Sequence, residues 1–253
     1  MEMTPTERYR QLAAWFCQPT GQALAAREKA WLDAVLPDLF GYYLLEIGGT
    51  ERGDLAAASR VLHPFRMTPA PGTVPGPAVP SLCAEAAALP VASRTVDVVL
   101  LEHVLEFATE PHAVLREVER VLMPEGHLVL LAFNSRSPWQ LARPGRKERA
   151  PWGGRFYSGR RLRDWLALLG FDLILQQGLM FRPPLPSQHL QERLAPLEGL
   201  AERWSLPGGA VHLLVARKRV FSMTPVRPRW RPRRATGAVA PAASQYKRSE
   251  RVR

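Results

Sequence analysis

Glu102, His103 and Glu106 lie within one short turn that follows a strongly apolar run. A histidine or carboxylate held at the end of a buried strand can take a proton from a substrate. His103 is the candidate base, and the competing reading is a histidine that only hydrogen-bonds the turn around it. Asn134 and the stretch Ser135, Arg136, Ser137, Pro138, Trp139 follow a second apolar run. With Trp139 or Trp152 as an apolar wall, they are placed to line a small-molecule pocket, although both tryptophans also read as ordinary lid packing. His112, near the start of a helix, reads as structural. No group of His and Cys has metal-ligand spacing, and neither a Gly-x-Ser-x-Gly elbow nor a phosphate loop occurs.

These residues need a scaffold, and residues 89–134 supply its pattern. Val96, Val98, Val99, Leu100 and Leu101 form an apolar run suited to a parallel strand covered on both faces. Pro111 opens a helix, where its missing N–H costs nothing. Val114, Leu115, Val118, Val121 and Leu122 recur at helical spacing as its packing face, and Arg116, Glu117, Glu119 and Arg120 are expected to face water. Pro124 and Gly126 are read as the helix stop, and residues 127–133 as the returning strand, joined by a right-handed crossover.

The same residues carry a family resemblance. Leu89–Pro90, Val96 to Val99, the turn from His103 to Phe107, Pro111, Leu115 to Glu117 and Val121 to Gly126 resemble the second half of a class I S-adenosylmethionine (SAM) dependent methyltransferase of the type 11 kind. The resemblance implies a Rossmann-like α/β fold: a mostly parallel seven-stranded sheet, helices on both faces, and a last strand antiparallel to the rest. It implies SAM as cofactor, bound across the carboxyl ends of the first strands, and a small-molecule methyl acceptor.

The family's first strand ends in acid-x-Gly-x-Gly-x-Gly, whose glycines let the backbone approach the cofactor. Here Glu46, Gly48 and Gly49 belong to the string Glu46–Ile47–Gly48–Gly49–Thr50–Glu51–Arg52–Gly53, in which Thr50 and Arg52 replace two glycines. The second strand's ribose-binding acid has no counterpart in residues 61–66. Glu85, four residues before Leu89, stands where relatives place an acid beside the adenine amino group; its other reading is a solvated loop carboxylate. Ala86 and Leu101 complete the cofactor-binding set that the resemblance implies. Methyl transfer needs the acceptor in line with the methyl and kept dry, so a base is optional. The alternative is a catalytically inactive methyltransferase-like binding module, with RNA as one partner.

Residues 5–36 read as helical and form an amino-terminal cap (1–39) over the methyltransferase-like domain (40–220). Residues 43–47 are the first strand, and residues 57–62 lead into a poorly patterned second. Residues 63–80 read as loop, and residues 81–83 as a short third strand. Residues 134–157 and 178–209 are lid-like insertions. Ser158 caps a helix running through Leu169, with Gly170 as its stop; residues 171–175 and 210–216 are the last strands.

The chain has 253 residues and a net charge of +11. Residues 217–253 hold twelve Lys and Arg against the one acid Glu250, a balance equal to the whole chain's, so residues 1–216 are neutral. This Pro- and Arg-rich tail (221–253) reads as disordered. Its alternation of Arg227, Arg229, Arg231, Arg233 and Arg234 with Pro and Trp230 suits weak, sequence-independent nucleic-acid binding, and the competing reading is a tail that is only solvated. Without an apolar stretch of membrane length or a leader pattern, a soluble, cytoplasmic protein is expected. Cys17 and Cys83 read as small buried hydrophobes.

Overall fold

The computed structural model describes residues 4–48, 54–68, 80–142, 150–181 and 208–219. The apolar run is β4 (Val96–Glu102), inaccessible to solvent from Val98 to Leu101. The crossover helix α3 (Pro111–Val121) buries Val114, Leu115, Val118 and Val121, the face its periodicity marks. It ends earlier than expected: Leu122 is already the first residue of β5 (Leu122–Phe133) and pairs with Val96. Pro124 is the cause, since a proline disfavours helical geometry in the residue before it and leaves its helical carbonyl partner unpaired. The excess length is absorbed by a register shift between Val96 and Val98 and by Glu125 at φ 64.

Glu117 and Arg120 do not simply face water. Arg120 pairs with Glu117 at 2.8 Å and donates to the carbonyls of Leu89 and Val91, while Glu117 accepts from the Leu89 amide. The two side chains staple the Leu-Pro loop to the helix.

Around this unit, β1 (Tyr43–Ile47), β2 (His63–Thr68) and β3 (Ser81–Cys83) extend one edge, and β6 (Phe171–Leu179) and β7 (Val211–Lys218) the other. The sheet order is β3-β2-β1-β4-β5-β7-β6. The β1, β2, β3, β4 and β5 pairings are parallel, and β7 is antiparallel to both its neighbours. Strand order therefore reverses between β1 and β4, where open α/β sheets bind ligands.

β2 occupies residues read as loop from their prolines; Pro64 is only its second residue, where a missing N–H is tolerated. β6 and β7 each run further than the pattern suggested, to Leu179 and Lys218. Helix α4 (Gly159–Leu168) starts where expected, with the Ser158 hydroxyl accepting from the Arg161 amide, and Gly170 follows at φ 78. The amino-terminal stretch is two helices, α1 (Pro5–Phe16) and α2 (Pro19–Val35). Leu12, Trp15, Phe16, Leu24 and Leu32 of these helices belong to the same buried core as the strands. Cys17 and Cys83 are exposed thiols instead of core residues, because one caps the end of α1 and the other ends the edge strand β3. Among the described residues no helix is long and apolar enough to cross a membrane. The basic tail lies outside the described residues.

Candidate functional site

Glu46 is the fourth residue of β1, and parallel pairing sets it opposite Arg66 of β2. The two form an ion pair, Arg66 Nη2 to Glu46 Oε2 at 2.9 Å, with both side chains about 95% buried. Burial and repulsion from Glu102 push the Glu46 carboxyl up to about 7, and Arg66 opposes the rise. Thr68 ends β2 at 1% exposure, and its hydroxyl has no hydrogen-bond partner among the described residues. Gly48 follows β1 and donates its amide to the Met67 carbonyl; a Cβ there would stand 2.7 Å from Glu102 Oε2. Glycine is thus required at 48 by the approach of β4. Gly49, Thr50 and Arg52 lie outside the described residues.

Glu85 and Ala86 follow β3 and line a pocket of about 600 Å³, together with Thr6 and Tyr9 of α1 and with Glu110 and Val114 at the start of α3. Glu85 is exposed and Ala86 buried. Leu101 is a core residue of β4, between Ile47 and Leu130.

His103 is the first residue past β4. It is completely buried at φ 47, a left-handed conformation that side chains rarely adopt and that the surroundings must hold in place. Its ring stacks on Phe133 at 4.3 Å. Nδ1 lies 3.1 Å from Glu106 Oε1, and Nε2 lies 2.9 Å from Glu28 Oε1 of α2. Glu106 also accepts the Phe133 amide at 2.6 Å. Although burial opposes charge on the ring, the carboxylates of Glu28 and Glu106 prevail and raise His103 to about 9. At neutral pH it is an imidazolium with a donor on each carboxylate, and α2 is tied to the end of β4 through it.

Sequence reasoning missed Glu28. The signal was present: Glu28 falls at helical spacing from Leu24, Trp31 and Leu32, on the buried stripe. Arg66 and Thr68 were hidden by reading residues 63–80 as loop.

Asn134 and Arg136 line a second pocket, of about 330 Å³, beside the amino end of α4 and His212 of β7. Trp139 and Trp152 belong to a buried aromatic cluster. Trp139 is inaccessible to solvent and packs edge-on against Trp15, and Trp152 donates to the Trp139 carbonyl. His112 packs on Trp165, a structural contact. Among the described residues no group of His, Cys, Asp and Glu is arranged to hold a metal ion.

Residues 66–130 match a family model described as a methyltransferase domain. The uncharacterized protein YafS of Escherichia coli (strain K12) is 30% identical over 213 residues, covering 83% of this chain and 82% of YafS. The chain belongs to the class I SAM-dependent methyltransferases. An uncharacterized protein of Mycobacterium tuberculosis (strain ATCC 25618 / H37Rv) is 33% identical over 176 residues, which is 68% of this chain and 61% of the mycobacterial chain. Among solved structures, a SAM-dependent methyltransferase from Thermotoga maritima superposes with a TM-score of 0.61 at 20% identity, over 84% of this chain and 100% of that one. The [4+2]-cyclase SpnF gives 0.60 at 20% identity, over 86% and 97%. The fold is therefore shared with a cyclase as well as with methyltransferases, so activity has to be argued from the site.

Proposed function

We propose that this cytoplasmic chain transfers a methyl group from SAM to a small-molecule acceptor. One observation carries the reading: the pocket of about 600 Å³ that opens between the end of β3 and the start of α3 is lined by Glu85 and Ala86, the residues that the resemblance sets beside the adenine. Around it, the residues present fit the nucleoside half of SAM. Glu85 is an exposed carboxylate available to the adenine amino group. Thr68 offers a buried, unpartnered hydroxyl at the end of β2, where relatives hold the ribose. Gly48 keeps the backbone after β1 free of a side chain, with Gly49 next to it in sequence, and Leu101 is the buried β4 residue paired with Ile47 at the end of β1.

When bound, SAM supplies a methyl on a positively charged sulfur. The chain's own part is to position and to dry. Trp139, Trp152 and Phe133 form a water-excluding wall beside the end of β5, and alignment of acceptor with methyl then carries much of the barrier. His103 has both nitrogens on carboxylates and is held charged, so we assign it the positioning of the turn after β4 instead of proton removal. Glu46, fixed by Arg66, sets the end of β1.

Calorimetry with SAM and with its demethylated product tests the reading. Binding of both is expected. Glu85→Ala should weaken them about tenfold, the usual cost of losing one hydrogen bond to a charged group. Absence of heat at millimolar ligand would refute the proposal.

A further inference from the structure

The pocket of about 330 Å³ past the end of β5 has a one-sided charge. Among the described residues Arg136, Arg160 and Arg163 line it and no acid does. None of the three has an ion-pair partner among the described residues. The remaining walls are polar as well. His212, second in β7, is 8% exposed, and its Nε2 is buried without a hydrogen-bond partner. The residues across from and beside it are glycines: Gly178 pairs with His212 in register, and a Cβ on Gly159 would stand 2.4 Å from Gln176 Nε2 and 3.0 Å from His212 Cε1. The space in front of the imidazole exists because no side chain fills it.

Gly159 and Arg160 are also the first two residues of α4, a helix of ten residues. Ser158 caps the Arg161 amide. The two amides before it have no acceptor within the helix, and the helix dipole adds partial positive charge there. Helix amides, three guanidinium groups and an imidazole N–H share one preference, an anion with several acceptor oxygens.

We propose that this pocket binds an oxyanion group, carboxylate or phosphate, of the methyl acceptor. The first-turn amides of α4, His212 Nε2–H and Arg136, Arg160 and Arg163 would hold it. The inference rests on the methyltransferase reading for the words methyl acceptor, while the anion site stands on its own geometry. Asn134 connects the two. Its side chain donates to the Gly209 carbonyl and accepts from the Arg136 amide, so the end of β5 is built into the pocket wall. Burial and the nearby Arg163 hold His212 down at about 4, so at neutral pH it is an uncharged donor that an anion can meet without displacing a counter-ion.

The test is a titration of the full chain with sodium phosphate and, separately, sodium acetate, against chloride at matched ionic strength. The imidazole Cε1–H signal of His212 is followed by NMR and assigned through its absence in His212→Gln. The expected result is a saturable shift at millimolar anion. Saturation by phosphate at lower concentration assigns a phosphate ester, and by acetate a carboxylate. Arg163→Gln should weaken binding about tenfold, as expected for one charge-assisted contact. Gly159→Ala keeps every charge but fills the cradle, and should weaken it as well while circular dichroism shows the fold intact. The same titration on a chain ending at Val220 removes any anions that the basic tail holds. A His212 signal indifferent to both anions, or equal affinity in the native chain and both variants, overturns the proposal. SAM calorimetry separates the failures: SAM binding without a His212 response removes the anion site alone, and a His212 response without SAM binding removes methyl transfer alone.

Discussion

Raising the pH should loosen this protein from one identifiable point. His103 titrates near 6.5 in an unfolded chain and at about 9 in the fold, because Glu28 and Glu106 favour its charged form. A group whose folded value is raised contributes its full stability below the unfolded value and loses it as pH climbs through the folded one. The window is therefore 6.5 to 9, and in it the unfolded chain binds fewer protons than the native one, so stability falls as pH rises. At about 1.4 kcal/mol per unit, the whole window is worth about 3 kcal/mol. Urea denaturation from about pH 7 to about pH 9 reads this as a midpoint falling by about 1 M, given the usual urea slope. Glu46 at about 7 and His212 at about 4 have their own midpoints at or below the start of that range, which keeps most of it clear. Among the groups that raise His103, Glu28 has the largest influence, so Glu28→Gln should flatten the pH dependence while lowering stability at neutral pH. Parallel pH profiles for the native chain and Glu28→Gln, or a midpoint that stays put across the range, would refute the reasoning.

Two further expectations follow from contacts described above, and a third from the charge of the tail. Arg66→Met leaves the Glu46 carboxylate buried without its partner and should cost about 3–5 kcal/mol at about pH 8 by denaturant melts, with recovery on acidification as Glu46 takes a proton. Trp139→Ala empties the centre of the aromatic cluster and should cost about 3–5 kcal/mol, read as a lower melting temperature; a change under about 1 kcal/mol would mean that Trp139 is not packed as described. Ending the chain at Val220 should weaken nucleic-acid binding. It should also make the log–log salt slope shallower by about 0.9 for each phosphate that the tail neutralises on duplex, or about 0.7 on single strands; unchanged binding removes the tail from that role.

The centre of the fold was legible because its side chains speak locally. β4 is apolar on both faces and α3 repeats its apolar positions every three to four residues, so periodicity alone finds both. β2 was not legible: His63, Pro64 and Arg66 are poor strand formers, and the strand forms because β1 and β3 flank it and supply its partners. The site divides the same way. Glu85 and Gly48 are marked by short motifs adjacent in sequence, whereas the His103–Glu28 contact joins residues 75 positions apart and the Asn134 to Gly209 bond another 75. Such pairs are set by packing, which a one-dimensional pattern records only as an odd residue on an apolar stripe.

The ion pair between β1 and β2 also constrains how this lineage can drift. Glu46 and Arg66 sit on neighbouring strands, in register, with almost no water to receive the Glu46 charge once Arg66 is gone. Loss of Arg66 therefore creates a handicap that a change at Glu46 relieves. Sequences that carry an apolar residue at 66 are expected to carry one at 46 as well.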